Sequence, residues 1–171
     1  MFDPTIFENL KVALENIIYD LDNLDGKVLV TGRSDRLDMA VMSREFNIRF
    51  DLVPATGVTA EIRLEAFLKD LSAEILETPG DVPGCALSLR FYTEVDEGQS
   101  ACNAIRELMN VIWEPQVPPI QTLSYVFGDH PAVLSNRIEL KFPHKINENN
   151  MSDLPSLVDH VIRTLEELAR I

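Results

Sequence analysis

Apolar positions recur at helical spacing at the start of the chain, where Ile6, Phe7, Leu10, Ala13, Leu14, Ile17, Ile18 and Leu21 mark one face of an amphipathic helix of about five turns. Asp3 before Pro4 supplies its cap and first-turn proline, and Gly26 stops it after Leu24. Residues 27–31 read as a short strand. Residues 45–52 read as another, because Phe46, Ile48, Phe50 and Leu52 alternate with Asn47, Arg49 and Asp51. Between them Leu37, Met39 and Val41 alternate as in a strand, while Ser34 followed by Leu37, Ala40 and Val41 fits a short helix. The strand is favoured, which makes 27–53 an antiparallel meander.

Thr59 then caps a second expected helix with the stripe Leu64, Phe67, Leu68, Leu71 and Ile75, ended by Thr78 because Pro79, Gly80, Pro83 and Gly84 follow. Cys85, Leu87, Leu89, Phe91, Thr93 and Val95 alternate along a strand, and Asp96-Glu97-Gly98 makes an acidic turn. Ser100 caps a third helix carrying Ala101, Ala104, Ile105, Leu108 and Ile112, closed by Trp113-Glu114-Pro115. An extended connector over 115–119 leads to two strands, 120–127 and 134–142, joined by the turn Gly128-Asp129-His130-Pro131. After a polar loop over 144–150, a last helix carries Leu154, Leu157, Val158, Val161, Ile162, Leu165 and Leu168. The order of helix, three strands, helix, strand, helix, two strands and helix predicts a single α+β domain over 1–171. It has two layers, with about four amphipathic helices on a largely antiparallel sheet of about five or six strands.

Charge narrows the functional classes. With 15 Lys+Arg against 28 Asp+Glu the net charge is -13, which argues against nucleic acid, since phosphate neutralisation needs a basic face. Uninterrupted apolar runs do not exceed Met39 to Met42, far short of the ~20 residues of a membrane span. The Met-Phe-Asp-Pro start lacks a signal-peptide pattern, and two cysteines do not make a disulfide framework, so the expected location is the cytoplasm.

Chemical motifs are sparse. Setting Gly26 at the sixth position of a calcium loop puts Leu21 and Gly32 at ligand positions, and both fail. His130, His144 and His160 stand at no metal-ligand spacing, and Cys85 and Cys102 are 17 apart, so no metal or cofactor is expected. Cys102 lies in a helix first turn, which lowers a thiol pKa, but Glu94, Asp96 and Glu97 oppose that effect, and a small packed residue is the better reading. Nucleophile elbows and Gly-rich phosphate loops are absent from the sequence, and Pro115-Gln116-Val117-Pro118 reads as a stiff connector.

One feature is uneven. Residues 1–26, 70–114 and 115–171 carry net charges of -5, -7 and -2, whereas 27–69 carry +1, with Arg33, Arg36, Arg44 and Arg49 in the meander. Arginine suits bidentate pairing with carboxylate or phosphate, so this block is a candidate surface for a ligand, a protein partner or a second copy. Internal pairing with the interleaved Asp35, Asp38, Glu45 and Asp51 is the competing reading. The expectation is a non-catalytic interaction protein that self-associates. The alternative is an anion-binding protein or enzyme with a pocket near Arg33 and Arg36 and the carboxylates Glu94 and Asp96.

Overall fold

A computed structural model describes residues 5–96, 99–113, 115–129 and 133–171. Asp3, Pro4, Glu97, Gly98, Glu114, His130 and Pro131, named above in caps and turns, lie outside the described residues. The elements run α1 (Thr5–Asn23), β1 (Val28–Asp38), β2 (Ser43–Leu52), β3 (Thr59–Ala66), α2 (Leu68–Leu76), β4 (Ala86–Val95), α3 (Gln99–Ile112), β5 (Ile120–Ser124), β6 (Leu134–Lys141) and α4 (Leu154–Leu168). A 3-10 helix over Glu148–Asp153 leads into α4, with Asn147 and Asn150 forming a reciprocal capping box. The six strands make one antiparallel sheet in the order β1-β2-β3-β4-β6-β5. The α+β class with an antiparallel sheet and four helices is therefore as expected.

The three strands after α1 are not the three expected from the sequence. β1 runs unbroken through the segment divided above into two pieces, and Met39, Ala40 and Val41 belong to the turn between β1 and β2. The third strand is instead Thr59–Ala66, the first half of the expected second helix. Its residues, Thr-Ala-Glu-Ile-Arg-Leu-Glu-Ala, are mostly good helix formers. Pairing on both sides overrides that preference: Ile62 lies opposite Ile48 of β2 and Leu89 of β4, and Leu64 lies opposite Phe46 and Leu87. Helix begins only after Phe67, whose backbone is extended.

One face of the sheet is dry. Phe46, Ile48 and Phe50 of β2, Ala60, Ile62 and Leu64 of β3, Leu87, Leu89 and Phe91 of β4, and Ile138 and Leu140 of β6 are buried and meet across the strands. The helices cover this face. Phe7, Leu10, Leu14 and Ile18 of α1, Ile105, Met109 and Ile112 of α3, and Val158, Val161, Leu165 and Leu168 of α4 complete one connected core. In α3, Met109 takes the inward place expected of Ala104, and in α4, Leu157 and Ile162 flank the buried stripe rather than lead it. Trp113 closes the layer: its indole N–H donates to Thr164 Oγ1 at 3.1 Å, and Thr164 Oγ1 donates to the His160 carbonyl at 2.7 Å. Val161 is fully buried between α4 and the sheet. Val161→Asp should destabilise the fold by on the order of 4 kcal/mol, because a carboxylate enters the core without a partner, and denaturant melts of the two chains measure the loss directly.

Candidate functional site

Strand alternation and one bulge divide the arginine block. Val30 of β1 lies opposite Phe50, but a register shift at Thr31 brings Arg33 opposite Ile48 and Asp35 opposite Phe46. The extra residue turns Arg33 and Asp35 onto the helix side of the sheet. There Arg33 pairs with Glu15 of α1, and Arg44 stacks over Phe7 at 4.7 Å. Arg44 also pairs with Glu8 and, through two nitrogens at 3.0 and 3.1 Å, with Asp35; Lys11 reaches both carboxylates at 2.9 Å. Arg36 and Arg49 point to the other face of the sheet. Arg36 Nε donates to Ser34 Oγ at 2.8 Å, and Arg49 pairs with Glu61. The four arginines are therefore not one cluster: two fasten β1 and β2 to α1, and two stand on the bare face.

Nor does the fold bring Arg33 and Arg36 to Glu94 and Asp96. Arg36 shares a cross-strand row with Glu45, Glu65 and Ala86, whereas Glu94 is eight residues further along β4, roughly 26 Å at strand spacing. Glu94 lies instead in a concave part of the bare face of about 680 Å³, beside Thr59, Tyr92, Thr122, Ser135 and Arg137.

The middle of the bare face is a charge ladder. Arg49, Glu61, Arg90 and Glu139 are successive cross-strand neighbours on β2, β3, β4 and β6. Arg90 pairs with Glu139 at 2.5 Å and approaches Glu61 at 3.7 Å, while Arg63 reaches Glu61 at 3.5 Å and Glu45 at 3.1 Å. The Glu61 side chain is only 1% exposed beneath these guanidiniums. Burial pushes the Glu139 carboxyl up, yet the Arg90 hydrogen bond and charge outweigh it and hold its pKa below the ordinary value. The ladder ends at β5, where the neighbour of Glu139 is Ile120.

The two edges of the sheet differ. β1 carries a bulge and four charged residues, Arg33, Asp35, Arg36 and Asp38, devices that block pairing with another strand. β5 has neither, and residues 115–128 are the longest stretch of the chain without Asp, Glu, Lys or Arg. Beyond it Tyr125, Val126 and Phe127 stand in solvent, with Phe127 94% exposed. That uncharged run is visible in the sequence, but its place at an edge follows only from the strand order.

α2 is also unusual. It buries Asp70, Leu71 and Ala73 and leaves Leu68, Ile75 and Leu76 outside. Asp70 accepts from Lys145 Nζ at 2.5 Å and from the Gly84 amide at 3.3 Å, and Glu74 accepts from Thr5 and the Ile6 amide. Burial, with Asp70 and Glu74 nearby, pushes the Cys85 thiol up to about 12, which makes it a poor nucleophile. Cys102 is half-buried in the first turn of α3, and its carbonyl accepts from Gln121.

A cleft of about 460 Å³ opens between α3, the end of β6 and α4, lined by Trp113, Val117, Phe142, His144, Leu157 and His160. It collects two histidines that stand far apart in sequence. His160 Nδ1 lies 2.7 Å from the Ser156 carbonyl, and the His160 ring is 5.6 Å from Trp113. Among the described residues, groups of three or more His, Cys, Asp or Glu placed to hold a metal ion are absent. No protein-family model, curated protein or solved structure matches this chain.

The buried ion pairs make stability depend on pH. For Glu8 and Asp35 burial raises the pKa, but the hydrogen bonds and charges of Lys11 and Arg44 outweigh it and leave both lowered. A lowered folded-state pKa contributes stability above the ordinary carboxylate range near 4, and that contribution is lost as pH falls through this range to the folded value. Asp35→Asn should therefore cost about 1 to 3 kcal/mol at pH 7, where Arg44 and Lys11 lose a charged partner. The gap to the parent chain should narrow as pH drops below about 4, a trend that urea midpoints between neutral and acid pH report.

Proposed function

We propose that this chain is a non-catalytic interaction protein of the cytoplasm that works as a self-associated pair, joined through the outward apolar face of α2. The observation that carries this reading is the outward side of α2, which buries Asp70, Leu71 and Ala73 and still turns three large aliphatic side chains to solvent. A helix that is apolar on its outer side lacks a partner within its own chain.

Further apolar surface lies at the same end of the sheet. Phe67 precedes α2 and Val82 follows it, and Leu37 near the end of β1 and Met39 and Val41 of the β1–β2 turn lie at that end. With Leu68, Ile75 and Leu76 these are eight side chains, each 45–78% exposed. At on the order of 150 Å² for each large apolar side chain, they offer roughly 700 Å², close to the ~800 Å² that each partner gives to a stable interface. Both carboxylates within α2 are occupied by bonds to the chain itself, so Lys69 is the one charge of α2 that a meeting of two such faces must turn aside into solvent. A second reading, a small-molecule binder, has the aromatic cleft beside Trp113 in its favour, a volume within the range of ligand pockets.

Sedimentation equilibrium tests the pair. The parent chain should sediment as a dimer, and Ile75→Lys with Leu76→Lys should raise the dissociation constant by roughly 100-fold or more with the melting temperature nearly kept, since both side chains are exposed in the single chain. A parent chain that stays monomeric at high concentration, or a double variant that stays dimeric, would sink the proposal.

A further inference from the structure

We propose that β5 receives an extended, positively charged peptide, which adds to the sheet as a seventh strand. This surface lies at the opposite edge of the sheet from β1, and it goes beyond the self-association through α2.

The backbone supplies the first part of the argument. β5 pairs only with β6, so alternate residues of Ile120–Ser124 turn their N–H and C=O groups away from the sheet. Such an edge is a template for a further strand unless something blocks it. β1 is blocked by charge and a bulge. On β5 there is no charge at all, and Pro118 and Pro119 stand just before the strand rather than in it. Tyr125, Val126 and Phe127, just after the strand, add exposed apolar surface.

Charge selects the occupant. In register, Ser124 of β5 meets Ser135 of β6, which meets Glu94 of β4. At this end Glu94, Asp129, Tyr125, Ser124 and Ser135 line a cleft of about 480 Å³ with Val126 and Val133. Neither carboxylate has an ion-pair partner among the described residues, and the chain as a whole carries -13. Two carboxylates, two hydroxyls and an aromatic ring suit a lysine or arginine side chain reaching in from a strand laid along β5. A second copy fits this edge less well. Antiparallel pairing of β5 with its own copy would bring to the cleft the Ile120 end of the other strand, which follows Pro118 and Pro119 and holds no cation.

The test uses the full chain and a fluorescein-labelled peptide of alternating valine and threonine that ends in two lysines, with a counterpart that ends in two glutamates. Anisotropy should show the lysine peptide binding roughly 10-fold or more tightly than the glutamate peptide at low salt, with the difference shrinking at about 0.5 M salt. Glu94→Gln with Asp129→Asn should remove the preference between the peptides. Of Thr122→Pro and Leu123→Pro, alternation requires that one remove an outward N–H and the other an N–H bonded to β6. The variant that keeps the parent melting temperature should lose both peptides. Ile75→Lys with Leu76→Lys should bind the lysine peptide as the parent does, so failure of the α2 pairing and failure of the β5 site are read separately. Equal affinity for the two peptides, or binding that survives both proline variants, overturns the proposal. So does a concentration-dependent dimer of the α2 variant that the well-folded proline variant abolishes, since the occupant would then be a second copy.

Discussion

Everything in this fold depends on keeping Thr59–Ala66 extended. The Ala, Glu, Arg and Leu of this segment favour a helix, but its apolar side chains, Ala60, Ile62, Leu64 and Ala66, recur every second residue and line one face only when the segment is extended. As the third strand of six, these residues have a neighbour on each side, so every backbone group in the segment has a ladder partner available, and Ala60, Ile62 and Leu64 enter the core together. The charged side chains between them are not idle. Glu61 is buried among Arg49, Arg63 and Arg90 on the other face, so a slip of one residue would carry a carboxylate into the dry core and Ile62 out of it. The ion-pair row thus fixes the register that the apolar row requires.

That double requirement explains why the arginines of the central strands serve the fold before anything else. A guanidinium at the surface contributes little by pairing, but one that covers a buried carboxylate cannot be removed cheaply, because the carboxylate would be left alone. Arg44 and Arg33 do the same on the helix side, where a single extra residue at Thr31 aims β1 at α1. What remains for other molecules is surface that this internal pairing does not consume: the outward side of α2, the concave part of the bare face, the cleft beside Trp113, and β5.

Much of the framework was legible in the pattern of residues. α1 and α4 are long and strictly periodic, and β2 and β4 alternate cleanly, so burial follows directly from spacing. β3 carries a strand signal too, since Ala60, Ile62, Leu64 and Ala66 alternate with Glu61, Arg63 and Glu65, but its helix-forming composition and the helical spacing of Leu64, Phe67, Leu68 and Leu71 masked it. α2 shows a different limit. Leu68 and Ile75 read as core because apolar residues at helical spacing normally face inward, and periodicity reports that a face exists without saying what covers it. The pairing of Glu61 with residues on three strands, and the convergence of His144 and His160 beside Trp113, rest on contacts between segments distant in sequence.

The strong net charge shapes how such a protein can meet others. Like-charged copies repel over a distance set by salt, about 8 Å at physiological ionic strength, so attraction between them must act at contact and over apolar surface. α2 meets this condition because its own acids are tied inward. β5 meets it differently, since the uncharged strand adds no repulsion while the carboxylates at its end favour a partner of opposite sign. For the two surfaces proposed above, the chemistry would differ accordingly, with apolar side chains meeting across α2 and backbone groups pairing along β5, where Glu94 and Asp129 would favour a basic strand.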